Sequence, residues 1–115
     1  GSMVAAIKVL AQFSGPKLFI MGDMAELGDT ALACHREVGL KAKQEGLESF
    51  WGVGAMTRQA VEAFGGGGRW FASKDELKAA FLELDSKHTI LIKGSRSAGM
   101  EFLIQGIHQL TVKEG

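Results

Sequence analysis

Two short segments hold the residue types that bind charged ligands. Lys93-Gly94-Ser95-Arg96-Ser97 gathers an ammonium, a guanidinium, two hydroxyls and the backbone N–H groups flanking a glycine into one stretch. It runs from the apolar run Thr89-Ile90-Leu91-Ile92 toward a segment with helical spacing. A strand end feeding a helix start aims unpaired N–H groups and the positive end of the helix dipole at one small volume, which suits an anion. The counterpart is Gly22-Asp23-Met24-Ala25-Glu26-Leu27-Gly28-Asp29. Its carboxylates Asp23 and Glu26 suit an ammonium group or a magnesium ion, or else serve a turn and a helix cap. His35, one turn into the following helix, suits a ligand or nucleotide contact or a packing role.

These segments need elements to position them, and the chain alternates strand and helix patterns. Val4, Ile7, Val9, Leu10 and Phe13 recur at helical spacing up to Ser14-Gly15-Pro16. Lys17-Leu18-Phe19-Ile20-Met21 then reads as a strand buried on both faces. From Thr30 to about Glu45 the stripe Ala31, Cys34, Val38 and Ala42 predicts a helix, with Asp29 or Thr30 as N-cap and Gly46 as stop. Cys34 on that stripe is expected to be a buried small residue. Strands at 48–53, 69–71 and 89–92 alternate with helices at 55–64 and 73–85, the latter opened by the capping box Ser73 and Glu76, and a last helix is expected over 100–110. Such alternation predicts one α/β domain, Rossmann-like and doubly wound, with a mainly parallel sheet and helices on both faces. With strand one central and strand four beside it, a crevice opens outside their carboxyl ends, where the two polar loops lie.

Composition removes several classes. The chain has 115 residues, with 13 basic and 13 acidic side chains and a single cysteine. A zero net charge with no basic run excludes the footprint of a nucleic-acid binder, and no apolar stretch is long enough for a membrane span. One thiol, Cys34, forms no internal disulfide, so a reducing cytoplasm is expected. His88 and His108 have no partners in sequence and are assigned structural roles. Gly65 to Gly68 follows a helix and precedes a strand, the reverse of the phosphate-loop order, and is expected to be a flexible connection. Neither G-x-x-x-x-G-K-[ST] nor G-x-G-x-x-G is present, so a nucleotide fold without its own triphosphate loop points to a partner domain. Ser95-Arg96-Ser97-Ala98-Gly99 only approaches a nucleophile elbow, and the later residues do not complete a triad. No signal peptide is visible, and Gly1-Ser2-Met3 reads either as a cleavage scar or as native sequence.

Met21-Gly22-Asp23-Met24-Ala25-Glu26-Leu27-Gly28, Ala33-Cys34-His35-Arg36-Glu37-Val38-Gly39 and Ile92-Lys93-Gly94-Ser95-Arg96-Ser97 through Met100-Glu101 resemble the C-terminal domain of the Mur ligase family. The resemblance covers essentially the whole chain and is strongest to members that add D-alanyl-D-alanine to UDP-N-acetylmuramoyl-tripeptide. It implies a three-domain cytoplasmic enzyme of peptidoglycan synthesis, expected to be a monomer, in which ATP and Mg2+ are bound mainly by a central domain absent here. The present chain would be the closing domain, contacting the enzyme's own N-terminal and central domains and inactive alone. Lys93, Gly94, Ser95, Arg96 and Ser97 would then hold the dipeptide carboxylate or face the nucleotide phosphates. Asp23, Met24 and Glu26 would orient the incoming amine or line the closing face, and His35 would make a nucleotide or interdomain contact. The rival expectation is a stand-alone, non-catalytic α/β module that binds a small molecule through the same two loops.

Overall fold

The computed structural model describes residues 2–25, 27–95, 98–103 and 111–114. Helix α1 (Ser2–Ala11) leads to strand β1 (Lys17–Met21); a 3-10 turn (Gly28–Thr30) enters α2 (Ala31–Gln44), followed by β2 (Ser49–Val53) and α3 (Thr57–Phe64). Then come β3 (Gly68–Phe71), α4 (Lys74–Leu82), β4 (Thr89–Lys93), a second 3-10 turn (Met100–Leu103) and β5 (Thr111–Glu114). The strands form one sheet in the order β3-β2-β1-β4-β5, and every neighbouring pair is parallel. The expected doubly wound architecture is therefore present, with β1 central and β4 beside it.

Because side chains alternate across a strand, successive residues of β1 feed two cores. Phe19 and Met21 face α1, α2 and α3 through Ile7, Leu10, Val38, Ala42 and Phe64. Leu18 and Ile20 face α4 and the second 3-10 turn through Leu77, Phe81, Met100 and Leu103. The strand reads as an unbroken apolar run because both faces are covered.

The helix ends show how local sequence sets the boundaries. At the end of α2, Gly46 takes φ +83°; its N–H donates to Lys43 O at 3.1 Å and that of Leu47 to Ala42 O at 3.2 Å, the paired pattern of a Schellman stop. At the start of α4, Ser73 Oγ accepts from the Glu76 N–H at 3.2 Å. Glu76 Oε2 reaches back to the N–H of Ala72 at 3.2 Å.

Several expectations are corrected. Thr30 precedes α2 without a side-chain cap; its hydroxyl donates back to Leu27 O at 2.8 Å, so the 3-10 turn, not a capping side chain, leads into the helix. Cys34 is only partly buried, since it borders an apolar groove between α1 and α2. His88 has a partner, its Nδ1 lying 3.0 Å from Asp85 Oδ1. Gly65 to Gly68 forms a defined turn closed by Gly68 N–H to Gly65 O at 2.9 Å. The segment 100–103 is a 3-10 turn, the rest of the expected last helix and His108 lie outside the described residues, and 111–114 adds the fifth strand. That strand, Thr-Val-Lys-Glu, has no apolar run to announce it.

Candidate functional site

The two chemistry-bearing loops are stitched together beyond the strand ends. The Gly22 N–H donates to Lys93 O at 2.9 Å and the Ser95 N–H to Asp23 O at 3.2 Å, continuing the β1–β4 pairing outside the sheet. Both glycines at the junction sit where the chain approaches closely. A Cβ on Gly22 would meet Met100 Sδ at 2.8 Å and Ala98 at 2.9 Å, and one on Gly94 would meet Met100 Cγ at 2.9 Å. The chain thus folds Ala98 and Met100 over the seam. The Ala98 N–H donates to Ser95 O at 3.0 Å and to Ser95 Oγ at 3.3 Å.

The β1 loop is held from three sides. Asp23 Oδ1 accepts the Thr57 backbone N–H at 2.8 Å and the Thr57 hydroxyl at 2.6 Å, while Oδ2 takes the Met56 N–H at 3.4 Å. These donors belong to the first turn of α3 and the residue before it, so Asp23 caps that helix from a neighbouring loop. Gly54 makes the approach feasible, because it sits at φ +114° and a Cβ there would lie 2.6 Å from Asp23 Cγ. Behind the loop, the Met24 N–H donates to His35 Nε2 at 3.0 Å. His35 Nδ1 lies 2.6 Å from Ala31 O, so Nε2 is the acceptor and Nδ1 carries the proton. His35 is fully buried (0% exposed) and supports the loop from within.

A cleft of about 360 Å³ opens at this end of the sheet, with Asp23 and Met24 from the β1 loop and Ser95 and Ala98 from the β4 loop in its walls. Ala25 and Val53 also line it, and three further walls, Gly54 and Met56 after β2 and Lys74 at the start of α4, were not anticipated from the sequence. The cleft thus lies outside the carboxyl ends of β1 and β4, as expected, and extends further toward β2 and α4. Gly54 and Thr57 carry a weak signal in sequence, a strand followed by glycine and then a helix-starting hydroxyl. Lys74 follows the capping Ser73 directly.

Of the expected site residues, Asp23, Met24, Gly94 and Ser95 come together at the seam. Lys93 ends β4, half-buried, and is not among the cleft-lining residues. Glu26, Arg96 and Ser97 lie outside the described residues. No group of three His, Cys, Asp or Glu side chains suited to a metal ion occurs among the described residues, and the Asp23 carboxylate is already engaged. Nor is any described helix long and apolar enough to cross a membrane.

No family model matches the chain. It is 40% identical, over 95% of its length, to the UDP-N-acetylmuramoyl-tripeptide–D-alanyl-D-alanine ligase of Escherichia coli, and 34% identical over 92% to the Haemophilus influenzae ligase of the same name. Among solved structures, the MurF crystal structure from Acinetobacter baumannii superposes with a TM-score of 0.78 at 31% identity, covering 90% of the chain and 24% of that protein. The MurF of Thermotoga maritima, solved in complex with ADP, shares the fold at a TM-score of 0.70 and 19% identity over the same shares. The chain spans about a quarter of the length of these proteins.

Proposed function

We propose that this chain, a C-terminal domain of the Mur ligase family, is the closing domain of a longer cytoplasmic enzyme that joins D-alanyl-D-alanine to UDP-N-acetylmuramoyl-tripeptide during peptidoglycan synthesis. The observation that carries the reading is the identity of 40% with the Escherichia coli ligase across nearly the whole chain. The blocks holding Asp23 and Ser95, prominent in the sequence resemblance, also form one stitched seam beside a cleft.

In the proposed reaction, ATP phosphorylates the terminal carboxylate of the tripeptide. The dipeptide amine then attacks the acyl carbon, and inorganic phosphate leaves as the amide forms. An acyl phosphate hydrolyses if water reaches it, so a domain that closes over the site both positions the amine and excludes water. ATP and Mg2+ are assigned to the rest of the longer protein, because this sequence carries no G-x-x-x-x-G-K-[ST] segment of its own to cradle a triphosphate. The seam, with Met24, Gly94 and Ser95, is the wall against which the dipeptide lies. Asp23 and His35 act by positioning that wall. Lys93, Arg96, Ser97 and Glu26 are assigned to the closing face, toward the dipeptide carboxylate or the nucleotide phosphates. The longer enzyme is proposed to work as a monomer, with this chain contacting its N-terminal and central domains.

The test is a phosphate-release assay on the full-length protein and on the isolated chain. The full-length protein should release phosphate from ATP only with both the tripeptide nucleotide and D-alanyl-D-alanine present, and the isolated chain should release none. A native reading frame without an upstream G-x-x-x-x-G-K-[ST] segment would overturn the proposal and favour a stand-alone binding module.

A further inference from the structure

We infer that Lys74 is the cationic anchor for the free carboxylate of the short peptide that occupies the cleft. This inference rests on the reading above and deepens it by naming the group that recognises one end of the substrate.

Charge accounting within the cleft carries the assignment. Among the described residues lining it, Lys74 is the one cationic side chain and Asp23 the one anionic. The Asp23 carboxylate is answered by the Thr57 N–H and hydroxyl and by the Met56 N–H. Lys74 has no ion pair among the described residues. Among the described residues the ammonium is therefore the cleft charge with no ionic partner, and a carboxylate is the small group that answers it by a charge-assisted hydrogen bond.

Geometry places the exposed Lys74 side chain at the cleft. Lys74 is the first residue of α4, directly after the capping Ser73, so its backbone is fixed by the helix start. Its Nζ sits 5.6 Å from the centroid of the Phe102 ring, within the range of a cation–π contact. A Cβ on Gly99 would come 3.0 Å from Nζ, so the missing side chain at Gly99, with φ +61°, leaves room for the ammonium. The rest of the wall is largely apolar, with Met24, Ala25, Val53, Met56 and Ala98. Together these features specify a ligand with a terminal carboxylate and small apolar side groups, the chemistry of a dipeptide of alanines. They also separate Lys74 from Lys93, which lies outside the cleft lining.

The experiment is an amide-shift titration of the 115-residue chain with D-alanyl-D-alanine and with its C-terminal carboxamide. Wild type should show shifts at 23–25, 53–56, 95 and 98, with the acid binding about tenfold more tightly than the carboxamide, the worth of one charge-assisted hydrogen bond in a partly open site. Lys74→Met should level the two ligands, and Lys74→Arg should restore the preference. If Lys74→Met keeps the preference and Lys93→Met abolishes it, the anchor is Lys93 and the Lys74 assignment fails while the dipeptide reading stands. Equal binding of acid and carboxamide to wild type also overturns the anchor alone. If neither ligand moves the cleft amides, the dipeptide reading fails and the anchor with it.

Discussion

Asp23, on the loop after β1, is the N-terminal cap of the helix after β2, because one carboxylate oxygen accepts both the backbone N–H and the hydroxyl of Thr57, at 2.8 and 2.6 Å. A residue whose type suggested ligand binding is thereby a link between two strand-to-helix connections. Removing a cap of this kind costs about 1–2 kcal/mol. Asp23→Ala should lower stability by about that amount, read as a shift in the urea midpoint at unchanged slope. Asp23→Asn, which keeps an acceptor oxygen, should lose less. The double variant Asp23→Ala with Thr57→Val should be less destabilised than the sum of the single changes, since both remove the same bond. Full additivity would show that the bond contributes nothing.

Gly54 and Gly28 offer a paired comparison. Both have positive φ, +114° and +58°, yet a Cβ on Gly54 would press on Asp23, whereas one on Gly28 meets nothing within 4 Å. Gly28→Ala should cost about 1 kcal/mol, the left-handed penalty alone. Gly54→Ala should cost more than twice that, since it adds displacement of the α3 cap. Thermal melts of the two variants compare them directly, and equal losses would contradict the proposed crowding.

His35 supplies the only partner given to the Met24 N–H among the described residues. Replacing it by phenylalanine keeps a ring but removes the acceptor of that part-buried donor, a loss of about 1 kcal/mol. Hydrogen exchange should show the Met24 amide losing protection well beyond amides in β1. Unchanged protection at Met24 would mean that the histidine does not hold the loop.

Glu48 governs a modest acid sensitivity. Burial works against its charge, but the Lys17 backbone N–H, then Glu48's own backbone N–H and then the Lys17 ammonium hold its carboxyl below the ordinary glutamate value of 4.5; the Lys17 backbone bond is 3.0 Å and the ammonium lies 3.7 Å away. A depressed folded-state pKa contributes stability that is complete above the unfolded value and is lost as pH falls through the folded one. The pair is half exposed on the glutamate side (52%), so solvent screening limits the contribution to about 0.5 kcal/mol. Glu48→Gln should therefore lose this increment at pH 7 and converge with wild type as pH falls below 4.5 and through the lowered folded-state value, as read from urea midpoints along a pH series. A constant gap across that window would assign the effect to packing.

Gly39 separates local preference from tertiary demand. Glycine inside a helix costs about 1 kcal/mol relative to alanine, so propensity alone predicts that Gly39→Ala stabilises α2. In the fold, a Cβ there would run into the Ala60 backbone of α3, with its carbonyl carbon at 2.8 Å. The substitution should instead destabilise the chain by more than 2 kcal/mol, measurable by denaturant unfolding. A stabilised variant would contradict the close α2–α3 packing.

The alternation of apolar runs with helical stripes determined the strand-and-helix order as far as β4, the burial of β1 on both faces and the placement of the Asp23 and Ser95 loops at the carboxyl end of the sheet, because periodicity and stop signals are local properties of the chain. The stop at Gly46 and the cap at Ser73 were legible for the same reason, since each bond spans only a few residues. The bond from Asp23 to Thr57 spans 34 positions, and no spacing in the sequence could distinguish that cap from a free carboxylate. His35 likewise became a loop support only when folding brought Met24 onto its ring. Lys74 entered the cleft because the fold brings the start of α4 beside Gly99 and Phe102, more than twenty positions away in sequence. Side-chain type sets what a group can bond, but the tertiary structure decides which partner reaches it first, and a carboxylate or imidazole already satisfied inside the fold has little left to offer a ligand.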